Sequence, residues 1–498
     1  LSDSTPILVG VGQFTQREAT DTSHMGLAIQ AAANAVEDCG APDIAAAIDT
    51  ICVTKLFSDM GHLWNCKWGR SNNPPESIAR GIGASPNSRI YTQTGGNQPQ
   101  SRLIEMARDI ALGEREVVLL AGAEALKNQR HAERNNRQLD WNEHFDEALE
   151  DRGMGDSVAT SQELNNGLHN VAYYYALIEQ AQCHSKGRSV AEHREKMAQL
   201  LESFSKVAAD NPYAQFTGSQ SAADILAAPA LTHLYTKRMI AQDGVNLAAA
   251  LLLCSVGKAR ELGIPESQWV YLHGMAEGGE LELSRRPDPG KSPMAGRVAD
   301  RALEIAGLSI DAIDAIDIYS CFPCAITAVA DHLGLPTDGS RSLTLTGGLP
   351  YFGGPGNNYS MHGIAEAVSA ARKYSDAYMM VTANGGVMSK HASGIYSQVP
   401  SHTDWATAET KVSHIDVEHR DICLDPRQGT IVSYTVHFGR DGAAHAIIIG
   451  DTASGERFVA TTAKDDQSTA RALLETDPIG QTVSVTPPED ESLNFQLA

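Results

Sequence analysis

The sequence predicts an α/β protein in which one layer of alternating strands and helices occurs twice, followed by a smaller β-rich module. Three observations lead to this prediction. Apolar strand-like runs alternate with helical segments in the first quarter of the chain, and a similar rhythm returns near residue 294. After about residue 400, period-two patterns dominate. Alternating strands and helices indicate a sheet with a large parallel component that is covered on both faces.

In the first unit, short apolar runs indicate buried strands, and apolar residues at helical spacing indicate helices. Pro75 suits the first turn of a helix, and Gly113 is typical of a helix end. The strands are predicted over residues 6–11, 48–53, 90–92 and 117–120, and the helices over residues 28–36, 75–81 and 98–112.

The second unit repeats this pattern after a long interval. Glycine pairs follow two of its strands, at residues 347–348 and 385–386. Helices are predicted over residues 294–306, 322–333 and 361–371, and strands over residues 312–318, 343–345 and 377–382. An internal duplication of this kind is the most informative organisational feature of the chain.

The remaining segments define the domain boundaries. The stretch between the units is mostly helical and rich in His, Asn, Gln and Tyr, and we interpret it as an insertion over one end of the sheet. Near the C-terminus, the strand-like runs 430–438 and 443–449 are joined by a glycine-containing hairpin signal at 439–442. We therefore assign residues 1–123 and 245–275 to the first half, 124–244 to the helical insertion, 276–400 to the second half, and 405–498 to a small β-barrel-like domain.

Composition excludes several classes of protein. The net charge is -22, from 39 Lys and Arg against 61 Asp and Glu. A field of that sign repels phosphate backbones, so we expect no nucleic-acid partner. No segment predicts a signal peptide or a membrane span. The eight cysteines are scattered along the chain, which fits reduced thiols in a cytoplasmic protein.

Several short segments resemble the thiolase superfamily. Residues 7–12 (ILVGVG) resemble its opening strand, and residues 112–124 (LGEREVVLLAGAE) resemble its LGD…V…AGGxE segment. Residues 211–216 and 242–244 are similar to the sterol-carrier-protein type of thiolase. The segments together span roughly residues 5–390. The resemblance implies a duplicated five-layered thiolase fold, with mixed sheets and helices on both faces, to which a C-terminal β domain is added.

The same resemblance places residues without thiolase chemistry at all four motif positions. The nucleophilic cysteine falls at Gly96, and the histidine of the Gly-His-Pro loop falls at Gly354. The second cysteine falls at Thr382 or Ala383, and the polar residue of the fourth motif has become Tyr319. The resemblance therefore implies that the Claisen mechanism of an ordinary thiolase is absent, while the fold and a pocket persist.

Three functions stay open at this point. The first is a non-catalytic protein that binds acyl-coenzyme A or a related lipid thioester, without any other cofactor. Glycine-rich turns can offer backbone N–H groups to an oxyanion or a phosphate, although tight turns required by the fold explain them equally well. The substrate-binding residues expected for this function are Gly96, Tyr319, Gly354, Asn358, Asn384 and Gly385.

The second function is an acyltransferase of unusual mechanism, in which Cys321 is the nucleophile and His362 its base. Its alternative is that both side chains only pack in the interior. A redox role for Cys321 and Cys324 competes with a simple helix start at the same segment. The histidines of the insertion lack any metal-ligand spacing, so we expect no metal site.

The third function is a protein-interaction scaffold, in which the C-terminal domain contacts a protein partner. Thiolases usually form dimers through their third strand. That strand corresponds here to residues 89–93, which are rather polar, and the additional domain offers a way to block the contact. Monomer and dimer both stay open.

Overall fold

The structure, a computed structural model, describes residues 2–61, 64–413, 418–439, 441–487 and 491–498. Its first unit begins with a long buried strand and alternates helices and strands as predicted. The elements are β1 (Pro6–Thr15), α1 (His24–Cys39), α2 (Ile44–Ala47), β2 (Thr50–Val53), α3 (Pro74–Ile82), β3 (Ser88–Tyr91), α4 (Gln98–Ala111) and β4 (Val117–Ala125).

An insertion dominated by helices follows β4, and the chain then returns to the sheet. The insertion contains α5 (Leu126–Arg134), β5 (Glu150–Asp151), α6 (Ser161–Asn165), α7 (Val171–Ser185), α8 (Val190–Asp210) and α9 (Ala222–Ala227). The sheet resumes with β6 (Asn246–Ser255), and α10 (Val256–Glu261) leads out of the first unit.

The second unit starts at β7 and ends before the C-terminal domain. Its elements are β7 (Val270–Gly279), α11 (Pro293–Ala306), β8 (Ala315–Asp317), α12 (Pro323–His332), α13 (Tyr359–Lys373), β9 (Met379–Gly385), β10 (Lys390–Ser397) and β11 (Lys411–Val412). The last domain contains β12 (Gln428–Phe438), β13 (Ala444–Asp451), β14 (Arg457–Thr461), α14 (Gln467–Ala472), β15 (Thr482–Thr486) and β16 (Asn494–Leu497).

The two units have the same strand order, which confirms the duplication. The first half runs β3-β2-β4-β6-β1, and the second half runs β8-β9-β10-β7. The two orders are equivalent, except that the second half has no counterpart of the edge strand β3 among the described residues. In each half the last strand is antiparallel to its neighbours, so the sheet is mixed. The halves join where Ile7 pairs with Tyr271 and Leu8 pairs with Val270.

The strand predicted over residues 343–345 is wrong. The backbone N–H groups of Leu345 and Thr346 donate to the buried carboxylate of Asp317, at 2.8 and 3.2 Å. A side chain thus satisfies the donors that a strand would have presented to its neighbour. The segment passes the sheet edge as a loop for that reason, so four strands of the second half, β8, β9, β10 and β7, lie in the main order of the sheet, and β11 pairs with β7 beside it.

Five layers result from the way the helices cover the two half-sheets. The central layer consists of α4 and α13, whose apolar residues share one core with strands of both halves. Helices α1 and α3 cover the outer face of the first half. Helices α11 and α12 cover the outer face of the second half, and their core continues into the insertion. The predicted five-layered α/β fold is confirmed.

Two equivalent glycines allow the outer helices to lie close to their strands. A Cβ atom at Gly12 of β1 would overlap the backbone carbonyl oxygen of Ala31 in α1. A Cβ atom at Gly274 of β7 would overlap the carbonyl oxygen of Ala302 in α11. Glycine is required where two backbones approach this closely. Both units thus carry a glycine on their first strand that lets the outer helix approach.

The C-terminal domain is a closed barrel with strand order β12-β13-β14-β16-β15, which confirms the predicted β-barrel-like domain. It lies against the insertion. Ser433 of the barrel donates its hydroxyl to the carbonyl oxygen of Leu177 in α7 at 2.6 Å. Ile447 and Val459 of the barrel belong to the same apolar core as α7. Arg440, in the predicted hairpin turn, lies outside the described residues. None of the described helices combines the length and the apolarity that crossing a membrane would need.

Candidate functional site

The backbone that carries Gly96 is held in place at the start of α4. The N–H of Gly95 donates to the side-chain oxygen of Asn357 at 2.9 Å, and Ser360 donates its hydroxyl to the carbonyl oxygen of Gly96 at 2.8 Å. Ser360 lies in the first turn of α13, and Asn357 lies two residues before that helix. The two central helices therefore begin side by side, and the turn at Gly96 is bonded to α13 and to the residues just before it.

Tyr319 occupies the space that a side chain at Gly96 would need. A Cβ atom at Gly96 would overlap the Tyr319 hydroxyl oxygen, and it would lie 2.6 Å from Tyr319 Cζ and 2.5 Å from the carbonyl oxygen of Asn384. Real Cβ atoms essentially never approach other atoms this closely. Tyr319 is itself buried, and burial raises the pKa of its hydroxyl well above the ordinary value, so the group stays neutral.

Gly354 contributes only backbone at the predicted histidine position. Its N–H donates to the carbonyl oxygen of Gln242 at 2.8 Å, and its carbonyl accepts from the N–H of Gly356 at 2.9 Å. Both polar groups of its backbone are thus used within the protein. The turn holds the end of the insertion against the loop before α13, and it leaves no free N–H for a ligand at Gly354.

Asn358 and Gly385 also contact other parts of the protein, as Gly354 does. Asn358 accepts the hydroxyl of Thr54 at 3.0 Å and donates to the carbonyl oxygen of Gly122 at 2.8 Å. A Cβ atom at Gly385 would overlap the side-chain oxygen of Asn97. Asn358 thus connects the second unit to strands β2 and β4 of the first, and Gly385 gives α4 room to approach the end of β9.

Asn384 and Cys321 meet a side chain from the insertion. The amide nitrogen of Asn384 donates to the hydroxyl of Tyr175 at 3.0 Å and lies 3.6 Å from the Cys321 sulfur. The amide oxygen of Asn384 is buried and has no hydrogen-bond partner among the described residues. Burial raises the pKa of Cys321 to about 12, so the thiol is protonated near neutral pH.

His362 lies in a separate environment. It is fully buried in α13, and its Nδ1 forms a 2.7 Å hydrogen bond with the amide oxygen of Gln13 in β1. Burial lowers its pKa to about 3, which keeps the imidazole neutral. Within the described ranges, no hydrogen bond joins His362 to Cys321. The nucleophile-and-base role of this pair stays a prediction, and the geometry does not bring the pair together.

A cavity of about 10 Å³ lies on the outer side of these residues. A volume of this size holds about one water molecule. It is lined by Ala295, Tyr319, Ala325, Val329, Thr382, Ala383, Asn384, Met388, His391, Ala392 and Ser393. Thr382 and Ala383, the positions expected for the second cysteine, are both on its wall, and neither side chain is a strong acid or base.

Sequence analysis missed two polar residues of this region. His391 of β10 lies 3.0 Å from the hydroxyl of Ser292, and burial, together with the nearby charge of Arg286, lowers its pKa to about 3. Tyr175 comes from α7 of the insertion. The glycine pair at 385–386 signals the turn that leads into β10, but no local pattern connects α7 to this centre. No group of three metal-ligating side chains occurs in the parts of the chain that the structure describes.

Comparisons with known proteins agree with this architecture. The domain described as "Thiolase-like protein type 1 additional C-terminal domain" matches residues 409–490. Acetyl-CoA acetyltransferase from Syntrophomonas wolfei is 16% identical, with a TM-score of 0.55 over 79% of this chain and 99% of that one. The dimeric peroxisomal thiolase of Saccharomyces cerevisiae is 13% identical, with a TM-score of 0.58 over 80% of this chain and 98% of that one. These two structures show that the fold is that of the thiolases.

A third structure shows the family. A monomeric SCP2-thiolase-like protein type 1 from Mycobacterium smegmatis is 38% identical over 100% of both chains, with a TM-score of 0.84. The chain therefore belongs to the SCP2-thiolase-like proteins of type 1. No curated protein matches the sequence.

Proposed function

We propose that this chain is a thiolase-like protein in which the thiolase reaction is lost. The single observation that supports the proposal most strongly is the position of Tyr319, whose hydroxyl fills the place of a side chain at Gly96. A thiolase forms its acyl-enzyme on a thiolate at that place. The bonds at Gly354 give a second argument, because the position expected for the activating histidine offers only backbone that is already paired.

The test is thiolytic cleavage of acetoacetyl-coenzyme A by the purified chain, with an ordinary thiolase as positive control. We expect no turnover above the rate in buffer. Turnover that disappears in Cys321→Ala and in His362→Ala, while both variants stay folded, would refute the proposal and establish the alternative acyltransferase.

As ligand we propose a coenzyme A thioester or a related lipid thioester, bound without chemical conversion. The support is the relationship to the thiolases together with the retained glycine turns at residues 95–96 and 385–386. The cavity of about 10 Å³ is too small for an acyl group. An acyl group enters only when the Tyr319 side chain turns away from Gly96. Binding is therefore expected to be weak in the native chain.

Calorimetric titration with acetyl-coenzyme A of the native chain and of Tyr319→Ala tests the ligand. The variant removes the ring that closes the cavity, so we expect its affinity to exceed that of the native chain. Tyr351→Ala is the matched control, because Tyr351 is equally buried and its hydroxyl donates to the carbonyl oxygen of Arg238 instead. Absence of heat with all three proteins at millimolar ligand would rule out the thioester.

The closed cavity favours a second candidate, a non-catalytic scaffold whose C-terminal domain contacts a protein partner. A barrel packed on the insertion adds surface without adding to the cavity. We place either function in the cytoplasm, because all eight cysteines are free thiols, as is usual for reducing compartments. The titration above decides between the candidates, since a scaffold requires no thioester binding.

We also propose that the chain is monomeric, as its relative from M. smegmatis is. The outer edge of β3 is covered in this chain, because Ile90 pairs with Glu150 and Tyr91 pairs with Asp151 of β5. A covered edge cannot pair with the same edge of a second copy. Sedimentation equilibrium is expected to give the mass of one chain, and a dimer mass would contradict the proposal.

A further inference from the structure

A second, larger cavity opens between the insertion and the C-terminal barrel. Its volume is about 310 Å³. Pockets for small molecules typically measure about 300–1,000 Å³ and often lie between domains. The lining residues come from α8, from the loop after α9, from β12 and from the segment after α14; they are Val190, Arg194, Ala230, Thr232, His233, Tyr434, Phe438 and Leu474.

Backbone hydrogen bonds join the two sides of this cavity. The N–H of His233 donates to the carbonyl oxygen of Val436 at 2.8 Å, and the N–H of Phe438 donates to the carbonyl oxygen of Leu231 at 3.3 Å. The loop after α9 thus pairs with β12 like a short additional strand. A cavity whose walls are bonded in this way is formed before any ligand arrives.

The floor of the cavity is a flat and uncharged aromatic pair. The rings of His233 and Tyr434 stack with 4.8 Å between centroids and 21° between planes. His233 accepts the N–H of Val436 at Nδ1 and donates from Nε2 to the amide oxygen of Gln180 at 2.8 Å. Burial lowers the pKa of His233 to about 3, and the charge of Arg194 acts in the same direction. The imidazole is therefore neutral and fixed in orientation.

Arg194 supplies the formal charge among the described lining residues near neutral pH, and these residues include no Asp or Glu. Its Nε atom is buried and has no hydrogen-bond partner among the described residues. A guanidinium group with unused donors in a partly enclosed site is suited to a carboxylate, to which charge-assisted hydrogen bonds are strong.

We infer that this cavity binds a small organic carboxylate with an aromatic or similarly flat apolar body. The carboxylate contacts Arg194, and the apolar body packs between the His233–Tyr434 pair and the side chains of Phe438 and Leu474. Leu474 is 42% exposed and marks the open rim. The site is separate from the Gly96 centre, so the inference does not depend on the proposed thioester.

The acidic surface of the protein does not exclude an anionic ligand. The net charge is -22, but at physiological ionic strength exposed charges are screened over about 8 Å. Inside the cavity the formal charge among the described lining residues is that of Arg194. The overall field is expected to slow the association of an anion, while the contact with Arg194 determines its affinity.

The experiment is calorimetric titration of the full chain with 2-naphthoate and with its uncharged analogue 2-naphthamide. We expect saturable binding of 2-naphthoate, at least tenfold weaker binding of it to Arg194→Gln, and equal binding of 2-naphthamide to both proteins. Lys196→Gln is the matched control, because Lys196 is an exposed cation on the same helix. It is expected to leave the affinity for 2-naphthoate unchanged.

A second variant protects the test against misfolding of the first. Val190→Trp fills the cavity from the first turn of α8 without touching the charge, and it is expected to abolish binding of both probes. Circular dichroism verifies that each variant is folded. The inference is overturned if 2-naphthoate fails to bind at millimolar concentration, or if it binds the native chain, Arg194→Gln and Val190→Trp alike.

Discussion

The hydroxyl oxygen of Tyr319 lies where the first side-chain atom of residue 96 would lie if that residue were not glycine. The two positions come from different units of the duplicated fold. Gly96 precedes a central helix of the first unit, and Tyr319 follows β8 of the second. The absence of a side chain at residue 96 and the ring at residue 319 are thus two parts of one packing arrangement.

Introducing a cysteine at residue 96 is expected to destabilise the protein without producing thiolase activity. Gly96→Cys forces its Cβ atom against the Tyr319 ring and the Asn384 carbonyl oxygen, and overpacking of a core costs about 1–3 kcal/mol. Urea unfolding measures the loss. Gly218→Cys is the control, since the nearest atom to a Cβ there is 4.0 Å away.

The double variant Gly96→Cys with Tyr319→Ala separates the two contacts. Removal of the ring is expected to recover part of the stability lost in Gly96→Cys, while the backbone carbonyl oxygen of Asn384 keeps part of the cost. A purely additive double variant would show that the side chains at residues 96 and 319 do not compete for space.

The thiol of Cys321 is expected to resist modification in the native protein. Burial raises its pKa to about 12, so at pH 7.5 fewer than about one in ten thousand of these thiols is a thiolate. Cys66 and Cys423 are partly exposed and are expected to react first with a disulfide reagent. Mass spectrometry after a short exposure locates the label, and rapid labelling of Cys321 would restore it as a candidate nucleophile.

Much of the fold could be predicted because local sequence patterns indicate its strands, helices and turns. Apolar runs and helical spacing gave the duplicated units, and the hairpin signal near Gly439 gave the barrel. The segment 343–345 has the apolar alternation of a strand, but Asp317 takes its backbone donors, and a contact between distant residues leaves no mark in a local pattern.

The candidate site was only partly predictable for the same reason. The expectation that Gly96 and Gly354 stand at thiolase motif positions comes from the resemblance alone. That Tyr319 fills the empty space, and that Tyr175 reaches Asn384 from the insertion, depends on how distant segments pack. The pairing of β5 with β3 is equally hidden, because two acidic residues do not resemble a strand.

His362 is expected to make the protein sensitive to mild acid. Its pKa is about 3 in the folded state and about 6.5 when unfolded, so between these values only the unfolded chain binds the proton. Stability therefore falls as the pH decreases from about 6.5 towards 3, by about 1.4 kcal/mol per pH unit from this residue at most.

The variant His362→Asn removes this contribution. We expect its free energy of unfolding to depend less steeply on pH between 6 and 4 than that of the native chain, as measured by urea titration at each pH. The variant His144→Asn changes an exposed histidine and serves as control. Equal slopes for His362→Asn and the native chain would show that His362 already takes up the proton in the folded state.

Arg457 is expected to hold the barrel against the second unit. It is fully buried in β14, its Nε donates to Asp451 at 2.5 Å, and its two terminal nitrogens donate to the carbonyl oxygens of Arg286 and Pro287 at 3.0 and 3.2 Å. Arg457→Met leaves these acceptors without a donor; the Asp451 carboxylate is partly exposed, but each buried acceptor without a partner costs about 1–3 kcal/mol.

An exposed ion pair serves as the control for Arg457→Met. Arg427 and Asp425 form a 3.0 Å pair in solvent, and such pairs contribute at most about 1 kcal/mol. Arg457→Met is therefore expected to lower stability to urea and to expose residues 398–413, which follow β10, to limited proteolysis, whereas Arg427→Met changes neither. Arg457→Lys keeps the charge but not the forked geometry, so it is expected to resemble Arg457→Met. Equal behaviour of Arg457→Met and Arg427→Met would mean that the contacts with the insertion suffice to hold the barrel in place.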